Sequence, residues 1–188
     1  MRGISGWMGV FALAGCTLLS AFAQQAQRRD YLGLAHTLFL IDGVAEELEL
    51  PTDRFDNAEK AVKKVTEKYL DELNKARRMK ESEAPVYEKV SKETNAALAQ
   101  ILTVKQMNRL AQIQRQRYFW QTMLEEGKSL KLSADQRRKI ENLRAYDDPG
   151  TSAAERKSLK KKAFSLLTPE QMRAWEALVG PAFPRAKK

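Results

Sequence analysis

Apolar residues along this chain recur in steps of three and four. From residue 53 onward Phe55, Ala58, Val62, Val65, Tyr69, Leu73 and Ala76 trace one stripe, and the spacing predicts a helix running to about residue 80. Upstream, Leu32, Ala35, Leu38, Phe39, Ile41, Val44, Ala45 and Leu48 predict a first helix over 28–49, closed by Pro51. A turn at 81–85 precedes the next helix, since Ser82 can cap and Pro85 is tolerated only in a first turn. Its stripe is Val86, Val90, Ala97 and Ile101, with Leu98 at the edge. A long helix is expected over 104–126, carrying Met107, Leu110, Ile113, Trp120 and Leu124 and stopped by Gly127. Three shorter helices follow: one after Leu132 with Ile140 and Leu143, one over 153–166, and one over 169–179 closed by Gly180 and Pro181. Asp147-Asp148-Pro149-Gly150 is a turn signal between the first two of these. No segment alternates with a period of two, so the fold class is all-α, built from antiparallel helical hairpins.

One local pattern repeats: Leu102-Thr103-Val104-Lys105-Gln106, Leu132-Ser133-Ala134-Asp135-Gln136 and Leu167-Thr168-Pro169-Glu170-Gln171. Each has the makings of a capping box. The Thr or Ser hydroxyl accepts the N–H three residues on, and the Gln side chain reaches back to the N–H of the cap residue. A degenerate fourth copy is Leu50-Pro51-Thr52-Asp53-Arg54, with Thr52 as the cap and Arg in place of Gln. The copies bracket helical segments, which suggests two related units in tandem: residues 24–127, and a shorter one over 128–188.

The Leu-Thr-x-x-Gln segments at 102–106 and 167–171, with the Ser133 variant, resemble the paired LTxxQ motifs of the Spy/CpxP-like proteins of the bacterial periplasm. The resemblance covers about residues 50–180 and implies an α-helical, exported protein. Two motif pairs in one chain then imply a pseudo-dimer. Some family members are ATP-independent chaperones that hold other proteins on a basic, partly apolar face, and others sense envelope stress or bind metals.

Composition and the N-terminus agree with export. Residues 1–23 read as a cleaved signal peptide: Arg2, an uncharged apolar stretch from Ile4 to Leu19, and Ala21-Phe22-Ala23 as the cleavage pattern. Leu13-Ala14-Gly15-Cys16 also fits a lipobox, which would anchor the chain by lipid on Cys16, and an uncleaved anchor is a third reading. After this segment the chain has no Cys, hence no disulfide, and its 32 Lys+Arg against 24 Asp+Glu make it basic.

Catalytic chemistry finds no footing, and none is expected. His36 is the only His and has no Cys or carboxylate three or four residues away, so it reads as structural, with no metal site and no cofactor. The adjacent acidic pairs, such as Glu46-Glu47 and Glu125-Glu126, point in different directions on a helix. Most basic clusters read as solvated surface. The segment Arg115, Arg117, Tyr118, Phe119, Trp120 and Met123 stands out, because one unbroken helix cannot bury all its aromatic residues on one stripe. These side chains are either core residues of a wide interface or a client-binding patch, where charge gives fast capture and apolar area weak holding. The expected partners are unfolded or envelope proteins, with an anionic envelope surface as the alternative for a scaffold protein. Interleaved acidic residues argue against nucleic acid. An envelope stress or metal sensor is the third functional reading.

Overall fold

The computed structural model describes residues 33–147 and 150–183, and within them the regular structure is entirely helical. The leader expected over 1–23, with Cys16, lies outside the described residues. In chain order the helices are α1 (Gly33–Leu40), α2 (Val44–Glu47), α3 (Thr52–Arg78), α4 (Ala84–Ile101), α5 (Val104–Arg117), α6 (Phe119–Glu125), α7 (Ala134–Ala145), α8 (Ala153–Ser165) and α9 (Pro169–Val179). They form two compact units, one ending at Val104 and the next beginning at Lys105. This division falls at the first residue of α5, whereas the sequence pattern sets it after Gly127. The physical reason is that Phe119, Trp120, Met123 and Leu124 share a core with Ile140, Ala163 and Trp175.

In the first unit α3 and α4 form an antiparallel hairpin. Its sense is read from the cross-links: Lys68 and Tyr69 meet Glu93, Glu72 meets Lys89, and Arg77 meets Tyr87 and Glu83. Ala58, Val62, Leu73 and Ala76 of α3 are buried as the stripe requires. The α4 stripe runs through Val86, Val90, Thr94 and Leu98, with Ala97 and Ile101 only half-buried, so Leu98 is at its centre. Thr66 and Thr94 fit these apolar faces because each hydroxyl donates to a carbonyl one turn back, Val62 O at 3.1 Å and Val90 O at 2.8 Å. Glu93 accepts from Lys68 and then Tyr69, and both hold its carboxyl below the usual range.

The helix expected over 28–49 is broken. Residues 41–43 leave the helical path, Gly43 takes φ 83°, and only the short α2 follows before Glu49, at φ 49°, and Pro51. Asp42-Gly43 is a turn dipeptide, and its local preference prevails over the apolar periodicity around it. Residues 28–32 of that expectation lie outside the described residues. The helix expected over 104–126 is also two helices. Tyr118, at φ −94° and ψ 45°, separates α5 from α6, and the buried Thr122 hydroxyl donates to the Arg115 carbonyl at 3.2 Å across the break.

The core of the second unit is aromatic. The Phe119 ring meets Trp120, Phe164 and Trp175 edge-on at 4.8, 5.2 and 5.3 Å between centroids. α7 and α8 pack antiparallel beside it. The chain after α9 is strapped to α5: the Gln116 amide donates to the Val179 and Pro181 carbonyls at 2.7 Å each and accepts from Phe183 N–H at 2.8 Å. Gly180 makes this course accessible with φ 66° and ψ −167°, a region essentially closed to other residues. Gly180→Ala should cost about 1–3 kcal/mol from backbone strain, and a denaturant melt that leaves the midpoint unchanged would show that the strap carries no such constraint.

Candidate functional site

The repeated segments are helix starts. Ser133 accepts from Gln136 N–H at 3.1 Å while Gln136 Oε1 accepts from Ser133 N–H at 2.9 Å. Thr168 does the same with Gln171, at 3.2 and 2.8 Å, and Pro169 occupies the first turn. Leu132 and Leu167 pack against the aromatic core. Thr103 immediately precedes α5, and Leu102 is buried at the end of α4, with Gln106 half-buried in the first turn. The degenerate copy is corrected: Thr52 is already the first residue of α3, and Pro51, which has no side-chain acceptor, stands at the cap position. A further capping box, outside the repeated pattern, stands at Ser152 and Glu155. There Glu155 Oε2 accepts from Ser152 N–H at 2.9 Å, and the sign was Ser-x-x-Glu after a Pro-Gly turn.

The structure adds a pairing between the copies. Gln136 Nε2 donates to Gln171 Oε1 at 2.8 Å, and Gln171 Nε2 donates back to Gln136 Oε1 at 3.1 Å. The remaining amide hydrogens follow the same symmetry, Gln136 to Leu166 O at 2.7 Å and Gln171 to Lys131 O at 2.9 Å. Leu166 lies two residues before Thr168, and Lys131 two before Ser133, so the two segments are related by a local two-fold. Each glutamine thereby uses both donors and both acceptor positions of its amide.

The candidate client-binding residues are dispersed. Phe119 (4% exposed), Trp120 (8%) and Met123 (0%) lie in the core, which removes them from any surface patch. Of the others, Tyr118 is half-buried, Arg115 is half-buried with a guanidinium N–H on the Leu178 carbonyl at 3.4 Å, and Arg117 is exposed beside the Tyr118 ring. The expectation of surface apolar area assumed one continuous helix. The break at Tyr118 re-aims α6, so its aromatic residues turn inward together.

Charge is segregated between the units. Residues 1–104 carry 14 Lys+Arg against 15 Asp+Glu, whereas 105–188 carry 19 against 9, a net of +10. On α7 three of the four cations are paired locally: Asp135 meets Lys139 at 2.7 Å and Arg138 at 3.0 Å, and these two hold its carboxyl below the usual range. Arg137 pairs with Glu141. On α8, Lys157, Lys161 and Lys162 are exposed and have no carboxylate within ion-pair distance among the described residues. Lys160 lies 5.1 Å from the Phe119 ring centroid.

His36 is 8% exposed in α1, and among the described residues no three His, Cys, Asp or Glu side chains converge to hold a metal ion. Nor, among those residues, is any helix long and apolar enough to cross a membrane. No protein-family profile matches the chain, and comparisons with curated proteins and with solved structures find no similar protein.

Replacing Thr168 by Ala should cost about 1 kcal/mol through loss of the cap. In a double-mutant cycle Gln136→Ala and Gln171→Ala should be non-additive by about 0.5 kcal/mol or more, measured by chemical denaturation; strict additivity would mean that the two amides act independently.

Proposed function

We propose that this is an exported, ATP-independent holding protein that binds partly unfolded proteins of the cell envelope through its basic second unit. The observation that carries the reading is the segregation of charge: the net +10 of residues 105–188, with three α8 lysines lacking an acidic partner among the described residues. Such a field accelerates the encounter with acidic chains and holds them weakly, which suits reversible capture without an energy source. The paired helix starts at 133–136 and 168–171 support the likeness to LTxxQ proteins. On that likeness rest the envelope location and the tandem arrangement of the units. This role requires no chemical step.

The same lysines favour one alternative, a scaffold protein that attaches to anionic envelope surfaces. The two are separated by a light-scattering assay in which a chemically denatured acidic protein is diluted into buffer without ATP. Stoichiometric amounts of this protein should suppress aggregation at low ionic strength, and the effect should fade as salt rises from about 50 to about 500 mM. Failure to suppress at low salt, with salt-sensitive sedimentation on anionic vesicles, would replace holding by surface attachment.

A further inference from the structure

The α7–α8 hairpin of the second unit carries an open groove of about 660 Å³. Leu143 and Tyr146 line one wall, and Leu159, Ser158 and Lys162 the other. Tyr146 is 70% exposed, the kind of aromatic residue that folding alone would have covered. Its backbone is nevertheless held. Tyr146 N–H donates to Leu143 O at 3.2 Å, and its carbonyl accepts from the Thr151 hydroxyl at 2.8 Å. The next residue, Asp147, is 16% exposed and accepts from Trp120 Nε1 and, at 3.1 Å, from Arg156. An exposed tyrosine has only two χ angles to fix on binding, which is why such side chains serve as anchors in interfaces.

Charge stands on the same helix. Lys162 lines the groove, and Lys161 and Lys157 continue along the exposed face of α8 without a carboxylate partner among the described residues. Glu155, the acidic group of the lining, is committed to the Ser152 cap, with Oε2 accepting from both the backbone N–H and the hydroxyl of Ser152. The surface therefore offers an aromatic-aliphatic slot beside lysines that have no ion-pair partner among the described residues. We infer that this groove is a docking site for an acidic polypeptide segment, which seats an aliphatic or aromatic side chain between Leu143, Tyr146 and Leu159 and sets its carboxylates against Lys162 and Lys161. A concave slot lined by Leu143, Tyr146 and Leu159 suits a peptide, which can seat a side chain in it. A layer of lipid headgroups would meet the lysines alone. The inference rests on the holding role proposed above and gives it a location.

The test is fluorescence anisotropy with the full chain and a short labelled peptide in which Glu alternates with Leu. Lys162→Glu should weaken binding about tenfold or more, since it replaces attraction by repulsion at the groove, and Tyr146→Ser should weaken it about fivefold. Lys128→Glu, an exposed charge reversal in the same unit, should change it less than about twofold. Replacing Leu by Ser in the peptide should reproduce the Tyr146→Ser loss. Circular dichroism should show unchanged helix content in all variants, as expected for exposed positions. Equal weakening by Lys128→Glu and Lys162→Glu would overturn the site in favour of a diffuse field. Vesicles of phosphatidylglycerol bound through Tyr146 and Lys162, with no peptide binding, would overturn it in favour of a membrane. Running the aggregation assay on the same variants separates the two proposals. If the wild-type chain holds clients and the groove variants hold them equally well, the groove is wrong and the holding role stands. If the peptide obeys the expected pattern while no client is held, the holding role falls and the groove stands.

Discussion

Every helix begins with backbone N–H groups that have no partner inside it, and in the second unit two of these deficits are met by one shared device. Gln136 and Gln171 each return a carbonyl oxygen to their own cap residue, then exchange amide hydrogens and reach the chain entering the other's helix. A broken cap would thus be felt at both helices. In a chain whose only Cys lies at position 16, no disulfide can tie residues 131–171 together. The fully satisfied amide pair does so instead, next to the core that Leu132 and Leu167 help to cover.

The same core explains where the apolar surface went. Because the helical path breaks at Tyr118, Phe119, Trp120 and Met123 turn toward Phe164 and Trp175, and little large apolar area remains outside. What remains exposed in this unit is chiefly charge, with Tyr146 at the margin of a helix. A binding role must then draw on electrostatics first and apolar contact second, which sets it toward fast, salt-sensitive and reversible association.

Local acid placement decides which cations are available. α7 and α8 are both rich in Lys and Arg, but α7 sets Asp135 and Glu141 at three- and four-residue spacing from its cations, so they pair along the helix. α8 contains one acid, Glu155, and places it in the first turn, where it serves the Ser152 cap. Lys157, Lys161 and Lys162 are exposed and have no ion-pair partner among the described residues. The first unit shows the balanced alternative, with Lys68–Glu93 and Lys89–Glu72 across the α3–α4 hairpin.

Helix class, the starts at 133, 168 and 104, and the stripe of α3 could be read directly from the residues, because caps act over three residues and a long amphipathic stripe depends only on its own spacing. The break at 41–43 is marked locally by Asp42-Gly43, whereas the one at 118 carries no such signal, since ending a helix there depends on what the displaced side chains gain elsewhere. For Phe119 that gain comes from rings more than 40 positions away in sequence, at 164 and 175. The same holds for the pairing of Gln136 with Gln171 and for the lack of ion-pair partners at Lys157, Lys161 and Lys162 among the described residues. Both are relations between distant residues, and only packing in three dimensions determines which groups end up within hydrogen-bond or ion-pair distance.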